Sequence, residues 1–332
     1  MAKVEKLVVL DAFAADQGQL SWEELGDLGT LDLYPRTSRP GEVLERLQGA
    51  TAVFTNKAPI TEAIMEAVPT LRYIGIVATG TNQVELDSAA ARGIAVTNVA
   101  NYSTASVAQC VLGYVLHFYN GIADHAHEVE QGAWARSQDF CFFTQTMTEC
   151  AGKTLVVVGL GNIGQAVARI AQSFGMRTLA ADIPGREGEQ RGACEIEDCP
   201  RLPLAEALAQ ADVISLHCPL TDLTEDLVDE SFLSACQPHA LLINTARGGL
   251  VKEEALLAAL NENRLRAAAL DALRQEPPAS DDALIAHPRV LVTPHMAWGT
   301  EEVRKRLISE VSENYAAFLR GERRNRVEPI RS

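Results

Sequence analysis

The chain has 332 residues, 47% of them hydrophobic, which is enough for two domains with extensive cores. Its 44 acidic and 29 basic residues give a formal net charge of −15, which argues against nucleic-acid partners and an anionic membrane surface. The longest apolar stretch, 107–119, is too short to cross a bilayer. Seven scattered cysteines without a close pair, and a first strand pattern with no secretion-signal core before it, predict a cytoplasmic protein with reduced thiols and no metal site.

The first hundred residues alternate between strand and helix patterns. The predicted strands are 6–10, 52–55, 71–78 and 94–97, and the predicted helices are 43–47, 61–67 and 86–91. Such alternation is typical of a parallel, doubly wound sheet. We expect this unit to be complete by about residue 99.

A long helix is predicted over 101–127, where apolar residues recur at helical spacing. It would connect two α/β units. The following segment, 132–150, is irregular and aromatic, with Trp134, Phe140, Phe142 and Phe143. Two interpretations stay open for it: packing on a partner subunit, or ordinary packing within one chain.

A glycine-rich turn follows the buried strand pattern of 155–158 and precedes a helix pattern over 165–174. Its glycines are Gly159, Gly161 and Gly164. This order is the context that a dinucleotide-binding fingerprint requires. Gly159 would make the tight turn, Gly161 would let the backbone approach a pyrophosphate, and Gly164 would let the helix pack closely on the strand.

An acidic residue, Asp182, ends the next predicted strand, 177–181, 18 residues after Gly164. A carboxylate there accepts hydrogen bonds from the adenosine ribose and repels a 2′-phosphate, which predicts NAD as the cofactor. Arg186 would soften that preference by pairing with a phosphate.

Four further strands are predicted at 213–216, 240–244, 267–271 and 290–292, so the second unit has the six strands of a complete dinucleotide-binding sheet. A last helix is predicted over 300–319. Because it lies beyond the last of these strands, we expect it to return to the first unit. The predicted domains are therefore 1–99 with 299–332, and 100–298.

Titratable residues follow three of these strands, at the edge where ligands bind in open α/β sheets. They are Arg247, Glu276 and His295, with Asp271 directly after a strand. Each alone is typical of a solvated turn, a helix start or an ordinary histidine. Together they predict one crevice beside a nicotinamide.

With these motifs the sequence resembles the D-isomer-specific 2-hydroxy acid dehydrogenases over nearly its whole length. The matching stretches are Gly159 to Gly164 with Asp182, His217-Cys-Pro-Leu220, Asn244-Thr-Ala-Arg247-Gly-Gly249, Asp271 with Glu276-Pro277, and Pro294-His295. The resemblance implies an α/β fold of two doubly wound parallel sheets, with a Rossmann nucleotide-binding domain inserted in a flavodoxin-like substrate domain. It also implies a homodimer.

The resemblance assigns roles that suit the chemistry of each side chain. Arg247 would bind the substrate carboxylate and keto oxygen through two parallel donors. His295 would be the general acid, and Glu276 would hold its other ring nitrogen. Asp271 would sit near the nicotinamide carboxamide. The implied NAD contacts are Gly159, Gly161, Asn162, Ile163, Gly164, Asp182, Cys218, Pro219, Thr245, Ala246, Asp271 and His295.

The loops of the first unit would complete the substrate site. The backbone of Thr79, Gly80 and Thr81 would form a nest for the carboxylate, and Lys57 would add a positive charge. Softer cues, including Trp298 after His295, resemble the glycerate dehydrogenase or hydroxypyruvate reductase branch. Glu85 stands where that branch usually has Asp, and Gln109 where the connecting helix often has Glu.

These features predict NAD(H)-dependent reduction of hydroxypyruvate or glyoxylate to the D-hydroxy acid. The alternatives are a D-lactate-type or other 2-hydroxy acid dehydrogenase, and an NAD-sensing corepressor with the same fold that binds protein motifs.

Overall fold

The computed structural model describes residues 5–185 and 196–329, so Arg186 lies outside the described residues. The chain divides into two compact units. We call Met1–Ser103 with Gly299–Ser332 the discontinuous unit, and Thr104–Trp298 the central unit. The division falls at Ser103, a few residues after the boundary expected at 99.

The discontinuous unit contains a five-stranded parallel sheet in the order β2-β1-β3-β4-β5. Its strands are β1 (Lys6–Val9), β2 (Thr30–Leu33), β3 (Ala52–Thr55), β4 (Tyr73–Ile76) and β5 (Ala95–Thr97). Strands β3, β4 and β5 are buried along their whole length, as their continuous apolar runs predict. Strand β2 was not predicted, because an edge strand with a charged, half-exposed sequence has no apolar run.

Six helices flank this sheet. They are α1 (Phe13–Asp16), α2 (Glu23–Gly26), α3 (Pro40–Arg46), α4 (Glu62–Ala67), α5 (Leu86–Ala91) and α12 (Glu301–Leu319). The last helix does return to this sheet, because the ring of its buried Tyr315 lies 4.9 Å from Tyr73 and 5.5 Å from Phe54. These aromatic contacts give the discontinuous unit a packed core on one face.

The central unit contains a seven-stranded parallel sheet in the order β12-β11-β10-β9-β6-β7-β8. Its strands are β6 (Thr154–Val158), β7 (Arg177–Ala181), β8 (Arg201–Leu202), β9 (Val213–Leu216), β10 (Leu241–Asn244), β11 (Ala267–Leu270) and β12 (Val290–Val292). The strand β8 was not predicted, because two residues are too few to produce a pattern. The two parallel sheets confirm the predicted fold class.

The helices of the central unit are α6 (Thr104–Asn120), α7 (Ile122–Glu130), α8 (Asn162–Ser173), α9 (Leu204–Leu208), α10 (Glu230–Ala235) and α11 (Glu253–Asn261). The prediction of a single helix over 101–127 is therefore wrong. Gly121 has φ +56°, a left-handed conformation that ends a helix, and α7 starts anew after it.

Strand order places β6 between β7 and β9, so the chain leaves β6 in one direction first and later returns on its other side. The loops after β6 and β9 therefore meet at the carboxyl edge of the sheet, which is where open α/β sheets bind ligands. Across the described residues, no helix is both long and apolar enough to cross a membrane.

Candidate active site

The glycine-rich turn lies after β6, and Gly161 is the residue that precedes α8. Gly159 has φ +104°, where a side chain would be strained. A Cβ atom there would also lie 2.6 Å from the carbonyl carbon of His217 and from the amide nitrogen of Cys218. The turn thus packs directly against the backbone after β9, and only glycine fits.

Gly164 also has a packing reason that the sequence predicted. A Cβ atom there would overlap the carbonyl oxygen of Gly159 and lie 2.8 Å from Cγ1 of Val157. In contrast, no atom lies within 4 Å of the same position on Gly161 among the described residues. That side of the turn is open, next to a helix start whose dipole favours an anion.

Asp182 directly follows β7. The residues after it, Ile183 to Gly185, line a cavity of about 260 Å³ together with Pro219 and Leu223. The structure therefore brings the segment that follows Asp182 and the predicted contact Pro219 to one cavity. The cavity has both polar and apolar walls, which suits one end of a nucleotide.

Two buried polar atoms of the central unit have no hydrogen-bond partner among the described residues. They are Oδ1 of Asp182 and Oγ1 of Thr245. Both residues were predicted to bind the cofactor. Because an unsatisfied buried polar group is costly, such atoms point to a missing partner. Together with the open side of Gly161, they fit NAD.

His217 lies between β9 and Cys218, with its Nε2 atom 2.8 Å from Oγ of the buried Ser215. Burial lowers the pKa of His217 to about 4. The imidazole is therefore neutral at physiological pH and supports the backbone that contacts Gly159.

Arg247 lies in the loop after β10, and the buried Asn244 shapes this loop. The Asn244 side chain donates to the carbonyl oxygen of Arg247 at 2.8 Å and accepts from the amide of Ala246 at 3.0 Å. The Arg247 guanidinium donates to the carbonyl oxygen of Ala246 at 2.7 Å and is only partly exposed. Since Asn244 is fully buried, the base of the loop is fixed.

The Arg247 loop packs on the loop after β11. A Cβ atom at Gly248 would overlap the peptide that joins Leu273 and Arg274. The glycine after Arg247 is thus needed for close approach of two backbones, and it brings Arg247 near the segment that carries Glu276.

Glu276 and His295 form a close pair. Nδ1 of His295 lies 2.8 Å from Oε2 and 3.0 Å from Oε1 of Glu276. Each side chain is about a third exposed, at 30% and 29%. His295 has φ +51°, a conformation that non-glycine residues rarely adopt. The pair is therefore held by a specific backbone geometry, in which Glu276 engages Nδ1 of His295 rather than Nε2.

Asp271 is buried, and its carboxylate holds the loop that carries His295. Its Oδ1 atom accepts from the amide of Met296 at 2.9 Å and the hydroxyl of Thr293 at 2.7 Å. Its Oδ2 atom accepts from the amide of Ala297 at 2.9 Å. Both oxygens of Asp271 are thus engaged by the loop that carries His295.

Two residues of α6 that support the site, Tyr114 and Ser106, were not recognised from the sequence. The hydroxyl of Tyr114 lies 2.6 Å from Oγ1 of Thr293 and 3.3 Å from Oδ1 of Asp271. The buried Ser106 donates to the carbonyl oxygen of Ala297 at 2.6 Å. Sequence spacing gave no signal for them, because the contacts join segments more than 150 residues apart.

In the discontinuous unit, Asp11 fixes the loop that carries Lys57. Its carboxylate accepts three backbone amides of this loop, from Asn56 at 2.7 Å, Lys57 at 2.6 Å and Ala58 at 2.9 Å. The Lys57 side chain is exposed. Asp11 was not among the predicted site residues, although an acid directly after a strand end is a signal that could have found it.

The loop with Thr79, Gly80 and Thr81 lies beside the Lys57 loop, after the neighbouring strand β4. The Asn56 side chain donates to the carbonyl oxygen of Val77 at 2.6 Å and so links the two loops. Thr79 Oγ1 donates to the carbonyl oxygen of Val99 at 2.8 Å. Lys57 and Thr79 to Thr81 thus share one edge of this sheet.

Glu85 has a structural role in the same unit. Its Oε2 atom accepts the amide of Glu62 at 2.8 Å, at the start of α4. Thr61 precedes this helix, but its side chain makes no capping hydrogen bond, so Glu85 rather than Thr61 satisfies this amide.

Three of the aromatic rings singled out in segment 132–150 are exposed, whereas Phe142 is half-buried. Phe140 is 89% exposed, Phe143 is 68% exposed and Trp134 is 53% exposed. Ile122 of α7 is 67% exposed. The structure thus disfavours ordinary packing within one chain for these side chains.

The geometry of the central unit defines a class: a nucleotide-binding α/β oxidoreductase with a glycine-rich turn and a histidine–carboxylate pair. Residues 112–297 match the family described as the D-isomer specific 2-hydroxyacid dehydrogenase, NAD binding domain.

Relatives of known name match most of the chain in sequence. This chain is 37% identical over 318 residues to the hydroxypyruvate reductase of Blautia hydrogenotrophica. The match covers 95% of this chain and 97% of that protein. It is also 37% identical over 297 residues to the glycerate dehydrogenase of Methylorubrum extorquens, with 89% and 91% covered. Among solved structures, an acyclic imino acid reductase in complex with NADPH and D-Arg matches with a TM-score of 0.84 at 26% identity, covering 97% of this chain and 99% of that one.

The chain therefore belongs to the D-isomer specific 2-hydroxyacid dehydrogenase family, and it is an oxidoreductase with an NAD-binding domain. The family assignment made from the motifs is confirmed.

Proposed function

We propose that this enzyme reduces hydroxypyruvate, and less efficiently glyoxylate, to the D-2-hydroxy acid with NADH. The observation that carries the proposal is the pair formed by His295 and Glu276, at 2.8 Å, in the same edge region as the Arg247 loop. The relatives named as hydroxypyruvate reductase and glycerate dehydrogenase support the choice of substrate.

His295 donates the proton in this proposal. NADH supplies a hydride to the keto carbon, and the keto oxygen then needs a proton. Nε2 of His295 supplies it, because Nδ1 is held by the Glu276 carboxylate, which also stabilises the imidazolium. The positive φ of His295 and the contacts of Asp271 fix the direction of the ring.

Arg247 binds the substrate carboxylate and keto oxygen through its planar guanidinium, which offers two parallel donors. Lys57 and the backbone of Thr79, Gly80 and Thr81 are proposed as further substrate contacts. In support, the Lys57 and Thr79 loops are linked to each other through Asn56.

The proposed cofactor contacts come from six loops of the central unit, after β6, β7, β9, β10, β11 and β12. The glycine turn would hold the pyrophosphate, and Asp182 would accept from the adenosine ribose. The contacts are Gly159, Gly161, Asn162, Ile163, Gly164, Asp182, Cys218, Pro219, Thr245, Ala246, Asp271 and His295. The oxygen atoms of Asp182 and Thr245 that accept no hydrogen bond from the described residues support this set.

The proposal includes the domain roles, the assembly and the location. The discontinuous unit is the substrate domain. The enzyme is a homodimer, supported by the exposed aromatic side chains of Trp134, Phe140 and Phe143. A cytoplasmic location is supported by the six described cysteines, which are thiols rather than disulfides.

A panel of keto acids with NADH and NADPH tests the function. We expect catalytic efficiency to fall in the order hydroxypyruvate, glyoxylate, pyruvate, because a site that hydrogen-bonds the terminal hydroxyl rejects the analogue that lacks it. Pyruvate or a branched keto acid as the best substrate would favour the D-lactate-type alternative. Cofactor binding without turnover of any acid would favour a corepressor-like protein.

A further inference from the structure

Arg201 lies beside Asp182 at the edge of the central sheet. Its Nη1 atom is 3.6 Å from Oδ1 of Asp182. Neither side chain is fully exposed, at 32% for Arg201 and 16% for Asp182. The pair therefore joins the acid that is expected to recognise the adenosine ribose to a cation that the sequence did not reveal.

The backbone fixes the relative position of the two residues. Strands β7 and β8 are parallel, and Arg201 pairs with Ala180 in their register. The amide of Asp182 continues the ladder by donating to the carbonyl oxygen of Leu202 at 3.0 Å. This ladder therefore places the backbones of Arg201 and Asp182 on neighbouring strands, within reach of an ion pair between their side chains.

The pair is an ion pair without a hydrogen bond. A separation of 3.6 Å exceeds hydrogen-bond range, and Oδ1 of Asp182 has no donor among the described residues. The five N–H donors of Arg201 are therefore not spent on Asp182. A guanidinium with donors to offer is a good partner for phosphate.

We propose that Arg201 sets the cofactor preference of this enzyme by neutralising Asp182 and by binding the 2′-phosphate of NADPH. The inference rests on the proposed role of Asp182 at the adenosine ribose. An isolated carboxylate there repels a 2′-phosphate strongly, whereas the paired one repels it weakly. The enzyme consequently prefers NADH but accepts NADPH with a modest penalty.

The size of the effect follows from simple electrostatics. A unit charge acting on a phosphate over ~7 Å, at a dielectric between protein surface and water, changes binding about tenfold. Partial screening by salt reduces this value, so the effect is expected to shrink as ionic strength rises.

The test is direct titration of NADH and NADPH, followed by the fluorescence of the bound nicotinamide, with the full-length protein. Arg201→Met keeps the aliphatic stem and removes the charge. We expect Arg201→Met to weaken the binding of NADPH about tenfold relative to that of NADH. Arg201→Lys should keep most of the wild-type affinity for NADPH. Arg177→Met is the matched control, because Arg177 lies at the opposite end of β7 and pairs with Gln210.

Asp182→Asn supplies a second comparison. In that background the guanidinium no longer faces a carboxylate, so NADPH binding should improve and should depend more on Arg201 than in the wild type. Circular dichroism of each variant checks that the fold is retained.

The outcomes separate the two proposals. If the wild-type protein binds neither dinucleotide, the proposed cofactor site fails. If it binds both and Arg201→Met leaves their ratio unchanged, or weakens both equally, Arg201 has only a structural role and the inference is overturned.

Discussion

The carboxylate of Asp11 accepts the backbone amide of Lys57 at 2.6 Å, and it also accepts the amides on either side. A carboxylate that binds three successive amides holds a loop in one conformation. Asp11 is therefore a positioning residue for Lys57, placed at the end of β1 and fixed by the sheet.

Asp11→Asn should raise the KM for keto acids about tenfold, because an amide offers one acceptor atom and turns a donor toward the backbone amides. We expect a smaller change in kcat and an unchanged Kd for NADH. Asp27→Asn, at an exposed position of the same unit, is the control. If Asp11→Asn changes KM in a variant that already carries Lys57→Met as much as in the wild type, Asp11 does not act through Lys57.

The histidine–carboxylate pair predicts a loss of turnover in two variants. His295→Ala should lower turnover roughly 10²–10⁴-fold. Glu276→Gln removes the carboxylate that holds Nδ1 of His295 at 2.8 Å, so it should lower kcat with a smaller change in KM. Steady-state kinetics measures both, and an unchanged kcat in Glu276→Gln would falsify the coupling.

The role proposed for the Arg247 guanidinium predicts that Arg247→Lys lowers kcat/KM for all substrates. Arg247→Lys keeps the charge but loses the two parallel donors. Hydroxypyruvate, glyoxylate and pyruvate share the carboxylate and the keto group, so kcat/KM should fall by a similar factor for each. Steady-state kinetics with the three acids measures this, and a loss confined to hydroxypyruvate would place Arg247 at the terminal hydroxyl instead.

The contacts of Tyr114 predict that this residue affects catalysis, although it is not one of the reacting groups. Its hydroxyl bonds Thr293 and Asp271, which hold the His295 loop. Tyr114→Phe should lower kcat about tenfold, as expected for losing a buried hydrogen bond that orients the proton donor. Tyr119→Phe, at a buried position of the same helix, should leave kcat unchanged. Equal losses in the two variants would show a general effect on α6.

His217 predicts a loss of stability in acid. Its pKa in the folded protein is about 4, below the ordinary value near 6.5. The unfolded chain therefore takes up a proton first as pH falls, and stability is lost between about pH 6.5 and 4, by about 2 kcal/mol between pH 7 and 5. Urea unfolding of the wild type and His217→Asn at both pH values measures the difference. The same shift in both proteins would assign the acid sensitivity to other groups.

Local chemistry in the sequence determined the fold class and the central motif. Buried strands of parallel sheets are continuous apolar runs, so β3, β4, β6 and β9 were visible without a structure. The glycines of the turn could be interpreted from the sequence because the backbone requires glycine there, for example for the positive φ of Gly159. Elements with weak local signals were missed, as with the edge strands β2 and β8 and the break at Gly121.

Only the tertiary structure decided which side chains support the site. Asp11, Tyr114 and Arg201 act through partners that lie 46, 179 and 19 positions away. Such pairings depend on strand order and on which helix crosses which loop. A local pattern can point to a residue such as Asp11, but it does not identify the distant partner. The reactive residues were recognisable from the sequence because their chemistry requires particular residue types. Their supports were not, because many side chains can supply a hydrogen bond or a charge, and the fold alone selects which one does.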